Sequence, residues 1–427
     1  MLLGPADVQI WARPQARGPN GILVDNIISA RFYIGKYGWG GGEIRARLNS
    51  GWLAAAAAFV GSGAGTDALD IKSMPSWTKW SFYLYVREFT ETTLNAALWS
   101  GPALARIIRH DGDPSSAEIV FTLHDFVAHF LRKRSLYNAA NYTTQSNNTA
   151  ADSIAEDWIT ACYGKSGVGI ITPPNYPVTR HNTTPWEALG ASSSAAAPSV
   201  YMEFQPGQPL IRGMEALCER AGLYMTRSES KNANSGHVLH VGYPYQRSDK
   251  TASVILSPRL GTGNAFENEQ SIAAATTVLR VRGDGAGSGQ NYTWNSNSQG
   301  VTDYGIIDGE ITVPARSVTA TSSESVKFIN RLGQGTEAVS MRVNETASCK
   351  FVTHWNWRDL VTYYDDVSGL NGELLVTGWQ LSYDENNGWD LDVTLGDPLP
   401  TIEQQIAREI GYYGAGMGGG WTKQVDG

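Results

Sequence analysis

From Leu360 to Leu395 the chain carries the pattern that most narrows its possible folds. Three runs rich in β-branched and aromatic residues, Leu360 to Val367, Glu373 to Tyr383 and Trp389 to Leu395, are divided by two Asn-Gly dipeptides, Asn371-Gly372 and Asn387-Gly388. Asn-Gly supplies the positive φ values that a two-residue type I′ hairpin turn demands. The spacing therefore predicts a three-stranded β-meander, with Gly372 and Gly388 as second residues of tight turns.

The same period of two recurs near the start. After the turn Gly35 to Gly42, Ile44, Ala46 and Leu48 alternate with Glu43, Arg45 and Arg47, which marks a strand with one buried face. Ile22 to Ile34, Ser81 to Val86, Glu118 to Leu123 and Thr276 to Arg282 read as further strands. Helical spacing rules the middle. Phe126, Val127, Phe130 and Leu131 form a stripe after Asp125, with Arg132, Lys133 and Arg134 where cations suit the macrodipole. The polar stretch Asn138 to Asn148 breaks that pattern. Thr149 to Asp152 resembles a capping box ahead of Ile154, Ala155, Trp158 and Cys162, with Gly164 as the stop. Pro173 to Pro198 reads as a linker or long loop. Leu210, Met214, Leu217, Cys218 and Ala221 make another stripe, ended by Gly222, before a hairpin of Leu223 to Arg227 and His237 to Gly242. Beyond Pro400, a short helix from Ile402 to Ile410 precedes the glycine-rich tail Gly411 to Gly420.

Composition bounds function. At 427 residues the chain has room for about two to four domains. Only 17% of residues are charged and 10% are aromatic, so a large core can be buried and wholesale disorder is excluded. The net charge of −8 argues against a surface that clamps phosphates. Cys162, Cys218 and Cys349 form neither a zinc pattern nor a disulfide framework, which fits folding in a reducing cytoplasm. The apolar run Trp52 to Val60 is far short of the ~20 residues that span a bilayer. Met1 to Asp7 lacks the basic start of a signal peptide, so classical export is not expected.

Gly35 to Gly42 precedes a strand, not the helix a dinucleotide loop requires, and Gly283 to Gly289 reads as a flexible loop. His124 and His129 sit about 140° apart on a helix, and His237 and His240 point to opposite faces of a strand. The acidic run Asp384 to Asp392 misplaces the glycine of a calcium loop and has Leu395 at its twelfth position. Glu156-Asp157 and Asp365-Asp366 are adjacent acids of the kind that face solvent. No nucleophile elbow occurs. No catalytic, cofactor-binding or metal-ligating residue is assigned, and no cofactor is expected. Trp355, Trp357, Trp379 and Trp389 crowd the predicted C-terminal sheet, where they serve either as core or as a platform for sugar rings.

The order of these segments resembles the tail-hub, or baseplate-hub, minor tail proteins of long-tailed bacteriophages. Ser29-Ala30-Arg31-Phe32 through Gly38-Trp39-Gly40-Gly41-Gly42-Glu43-Ile44 is similar to that family's opening hairpin. Phe121 to Phe126 and on to Arg134 resembles its strand, Gly-Arg-Asp-Leu turn and Arg-ended helix. Leu210 to Val241 and Val278 to Gly283 match recurrent units, and Val393-Thr394-Leu395-Gly396 its closing strand. Trp357-Arg358-Asp359-Leu360-Val361 lies where the family often has Trp-x-Gly-Asp-x-Val. Two departures stand out: His124 replaces Gly-Arg, and Arg358 replaces the glycine before Asp.

The resemblance implies a mainly β, α+β, multi-domain fold with two β-barrel-like tube domains around a helical and α/β middle. The expected divisions are 1–122, a β-rich hub domain, and 123–198, a helical segment and linker. They continue with 199–262, a helix-plus-hairpin unit, and 263–427, a β-rich hub domain with the glycine-rich tail. It further implies a non-enzymatic structural protein of the virion tail tip, made in the host cytoplasm. Its partners would be two further copies of itself in a homotrimer, the distal tail protein ring, the tape measure protein and tail-tip or fibre proteins. DNA would pass transiently through the ring on ejection without stable binding. Three copies would carry −24, and an acidic ring does not retain DNA. A glycan-binding or glycan-cleaving tail protein for host attachment is the second function class the sequence admits.

Overall fold

A computed structural model describes residues 7–13, 21–60, 80–87, 97–113, 115–132, 144–155, 158, 178–181, 198–203, 209–229, 237–243, 246–272, 275–283, 291–312, 318–319, 321–322, 325–326, 329, 333 and 335–397. The expected helix at 402–410 and the tail, Cys162, Gly164 and most of the 283–289 loop lie outside these residues. Among the described residues seven strands come first: β1 (Val8–Arg13), β2 (Ile22–Leu23), β3 (Ile27–Ile34), β4 (Gly40–Arg47), β5 (Ser81–Val86), β6 (Trp99–Arg109) and β7 (Glu118–His124). In β4 the alternation works as expected, with Ile44 and Ala46 buried and Glu43 and Arg47 exposed. The apolar run after β4 forms the Gly51–Val60 helix, which buries Trp52 edge-on against Trp80 at 6.3 Å.

The middle holds β8 (Thr144–Ala150), β9 (Val178–His181), β10 (Ser199–Glu203), β11 (Tyr224–Glu229) and β12 (His237–Gly242), with helices Phe126–Arg132 and Leu210–Ala221. Asp125 caps the first helix: its Oδ1 accepts from the Val127 and Ala128 amides at 2.8 and 3.0 Å. Gly222, at φ 65°, ends the second. Val127, Leu131, Ile154, Trp158, Leu210, Met214, Leu217 and Cys218 share one core. Two expectations fail here. The polar stretch up to Asn148 contains most of β8, which pairs antiparallel with β10, and the supposed linker contains β9, which pairs parallel with β12. These strands owe their existence to a tertiary partner, so no local alternation marks them.

The remaining strands are β13 (Ile255–Leu256), β14 (Gly263–Ser271), β15 (Val278–Arg282), β16 (Tyr292–Ser296), β17 (Asp308–Thr312), β18 (Thr336–Val343), β19 (Leu360–Asp365), β20 (Leu370–Asp384) and β21 (Gly388–Gly396). Six of them join the first seven in a single thirteen-stranded sheet, ordered β14-β18-β21-β20-β3-β4-β7-β6-β5-β1-β2, with β19 on β20 and β13 on β19. The link is β20, whose residues 379–384 pair antiparallel with β3. Among the described residues that strand order is open, and no closed barrel is formed. Strands β16-β15-β17 make a separate small sheet inserted between β14 and β18.

The meander β19-β20-β21 is present, but its turns differ from expectation. Asn371-Gly372 lies inside β20, opposite Tyr364 and Tyr363. The chain reverses earlier, because the Asp365 carboxylate accepts from the Val367 and Ser368 amides at 3.2 Å each and from the Ser368 hydroxyl. That Asx-type turn hands the positive φ, 74°, to Gly369. Gly372 serves packing instead, since a Cβ there would come within 2.8 Å of the Tyr363 ring. Gly388 does take positive φ, 80°, but closes a three-residue loop at 385–387, opposite Asp384.

Candidate functional site: a polar sheet face and the buried corner behind it

In an antiparallel sheet, directly opposed residues share a face. Following the registers from β18 to β7 therefore traces one polar surface: Arg342 opposite Asp392, Asp392 opposite Gln380, Gln380 opposite Tyr33, Arg31 opposite Glu43, and Arg47 opposite Glu118. Each arginine on it is engaged. Arg342 reaches Asp390 at 3.0 Å and Asp392 at 3.4 Å. Arg31 donates to the Gln380 side-chain carbonyl at 2.7 Å, Arg45 pairs with Glu118 at 2.5 Å, and Arg47 with Glu385 at 3.2 Å. Beneath them, Phe32, Ile44, Phe121, Leu381, Leu391 and Val393 point the other way into the core. The surface thus crosses from the C-terminal strands to the N-terminal ones without a break. Sequence reading missed its β18 portion, although Val339, Met341 and Val343 alternate there with Ser340 and Arg342.

The four tryptophans resolve in favour of core. Trp355, Trp357, Trp379 and Trp389 are exposed by 1, 7, 3 and 4%. Phe351 lies 5.0 Å from Trp355 and 5.9 Å from Trp379 between ring centroids. No sugar can stack on these rings while the sheet is folded.

Behind the polar face sits a buried corner, Trp357-Arg358-Asp359. Asp359 is fully buried; its Oδ2 accepts from the Asn356 amide at 2.8 Å and pairs with Arg247 at 3.5 Å. Burial pushes its carboxyl above the usual aspartate range, against the pull of Arg247, the Asn356 amide, Lys250 and Arg358. Arg358, also buried, lays its guanidinium 3.4 Å over the Tyr224 ring and 5.0 Å from that of Trp357. Its φ is 70°, so the residue that stands where the resemblance leads one to expect glycine keeps a glycine-like backbone. The corner gathers distant segments. Arg358 donates its amide to Val376, Arg247 donates to Arg358, and Met225 donates to Tyr37. Gly38, at φ 98°, leaves no room for a side chain: a Cβ would lie 1.8 Å from the Met225 carbonyl oxygen and 2.9 Å from Trp357. A second latch closes elsewhere, where Arg87 pairs with Glu345 and donates to the Phe351 carbonyl at 2.7 Å.

Among the described residues no group of three or more His, Cys, Asp or Glu could hold a metal ion. Cys218 and Cys349 are buried free thiols; burial raises both, Cys349 to about 11, so neither is an activated nucleophile. His124 ends β7 opposite Gly41. Among the described residues no helix is long and apolar enough to cross a membrane.

The mainly β architecture, open sheet and helical middle together define a fold seen in phage tail proteins. Three solved structures share it over nearly their whole length. The tail protein from Neisseria meningitidis matches with a TM-score of 0.55 at 11% identity, covering 92% of this chain and 97% of its own. The 43 kDa tail protein of prophage MuSo2 from Shewanella oneidensis matches at 0.53 and 13%, covering 91% and 98%. Prophage tail protein gp18 from Listeria monocytogenes matches at 0.53 and 10%, covering 94% and 98%. No protein-family model and no curated protein sequence matches the chain.

Proposed function

We propose that this chain is a non-enzymatic hub of a phage-like tail tip, present as three copies around the tail axis. Its N- and C-terminal β-rich domains, 1–122 and 263–427, act as the two tube-building units of each subunit, so that three subunits offer six similar units to a sixfold tail. The helical segment 123–198 and the helix-plus-hairpin unit 199–262 brace them from outside the ring. The distal tail protein ring, the tape measure protein and tail-tip or fibre proteins are its neighbours, and DNA passes through without lasting contact.

The observation that supports this reading best is the polar face from β18 to β7. It spans both β-rich ends, and its arginines are held by carboxylates or by Gln380. A duct for DNA needs such a lining, because every free cation would add to a salt-dependent grip on phosphate. The test is a pair of proteins. The native chain should not retain duplex DNA at physiological salt. A variant carrying Glu118→Gln, Asp390→Asn and Asp392→Asn, which frees Arg45 and Arg342, should bind it with a steep salt dependence. Tight binding by the native chain would overturn the proposal.

A further inference from the structure

The small sheet β16-β15-β17 has two different faces. One is covered: Leu279 and Val281 are buried, as are Thr321, Ser325 and Ile329 from the segment that follows β17. The other carries Tyr292 and Trp294, exposed by 54 and 56%, two residues apart on the outer strand β16. Beside them Arg280 places its guanidinium 5.1 Å from the Tyr292 ring centre and 5.7 Å from that of Trp294. Arg280 and Arg282 both pair with Glu310 of β17, at 3.4 and 2.8 Å. Side chains tied together in this way are ordered before anything binds, which lowers the entropic cost of binding.

Size and charge select the occupant. Strands of five residues are ~17 Å long and three of them ~14 Å wide, so the face measures roughly 240 Å². A protein partner needs about 800 Å² per side. Arg280 and Arg282 are balanced on this face by Asp308 and Glu310, leaving no net charge to attract phosphates or a sugar acid. What fits is a small neutral ligand with flat apolar faces and a rim of hydroxyls. The two rings stand ~7 Å apart along the strand.

We propose that this shelf binds a neutral saccharide, two sugar rings stacking on Tyr292 and Trp294 while Arg280, Arg282 and Glu310 hydrogen-bond their hydroxyls. The inference is independent of the hub reading. To test it, the full chain is titrated with chitotriose, cellotriose and maltotriose while the Trp294 indole N–H resonance is followed, that resonance being assigned by its loss in Trp294→Ala. At least one sugar should move it. Trp294→Ala and Tyr292→Ala should each weaken that sugar's affinity, measured by calorimetry, by about tenfold or more. Thermal unfolding should stay native in both, because neither side chain belongs to the core. No shift with any of the three sugars, or unchanged affinity in the two variants, would overturn the proposal. So would displacement of the sugar signal by an oligothymidine strand, which would make the shelf a base-stacking site.

Discussion

The large sheet and the small inserted sheet use aromatic residues in opposite ways. On the large sheet Trp379 and Trp389 turn inward and the arginines turn outward onto carboxylates or Gln380. On the small sheet Trp294 and Tyr292 turn outward, and aliphatic Leu279 and Val281 fill the covered side. The cause is the volume each sheet must fill. The large sheet packs against a broad core that needs bulky rings, whereas five-residue strands covered by Thr321, Ser325 and Ile329 are filled by Leu and Val. Aromatic content therefore carries no functional meaning until the parity of each position is known.

The contrast breaks most sharply under truncation. Trp379→Ala should cost about 3–5 kcal/mol of stability in denaturant titration. Trp294→Ala should stay within about 0.5 kcal/mol. Equal losses would show that the small sheet's outer face is packed too. Next comes the buried corner: Asp359→Ala strips Arg247 of its buried carboxylate and should cost about 3 kcal/mol. Removing Glu310 from the small sheet's half-exposed pairs should cost under about 1 kcal/mol.

Backbone substitutions sharpen the picture further. Gly388→Ala should cost about 1–2 kcal/mol through its positive φ alone, because open space surrounds that position. Gly372→Ala should destabilise through collision with Tyr363 instead, and Tyr363→Leu should relieve it. At Arg358 the two effects separate cleanly. Both Arg358→Ala and Arg358→Gly lose the stacking on Tyr224, but only glycine relieves the left-handed backbone. Glycine should therefore be the more stable of the two by about 1 kcal/mol, measured by the same unfolding titration.

The smallest effect is on acid stability. Burial alone would raise the Glu337 carboxyl, but hydrogen bonds from Tyr363, Asn268 and Gln270 outweigh it and hold the group below its ordinary value. The Ser368 hydroxyl, with the Val367 and Ser368 amides, does the same for Asp365. A depressed carboxyl stabilises the fold above its unfolded pKa of about 4 and loses that contribution as pH falls through the folded value. Glu337→Gln should thus flatten the acid limb of the stability–pH curve, and an unchanged limb would show that Glu337 does not contribute to acid stability.

Much of the fold was legible in local patterns. Alternation located β4 and β15, runs of apolar residues located β5 and β7, and the apolar stripe ended by Gly222 located the Leu210–Ala221 helix. Strands β8 and β9 were not legible, because their residues acquire a face only when β10 and β12 lie beside them. The turn before β20 was not legible, since Asp365 and Ser368, an ordinary polar pair in sequence, compete with Asn371-Gly372 and win through hydrogen bonds to the backbone. The polar face was half legible: charge alternation in β4 announced it, but pairing of Arg342 with Asp392 or Arg31 with Gln380 depends on strands 50 and 349 residues apart. The shelf on β16 was not legible, because Tyr292 and Trp294 look no different in sequence from the aromatics of the core.

The central proposal is the threefold hub with the β18-to-β7 face turned to the lumen, and reconstruction of the intact particle by electron cryomicroscopy tests it most directly. Three copies on the tail axis are expected, with Arg31, Arg45 and Arg342 lining the channel. Six copies at that position, an off-axis site, or that face packed against a neighbouring tail protein would contradict it.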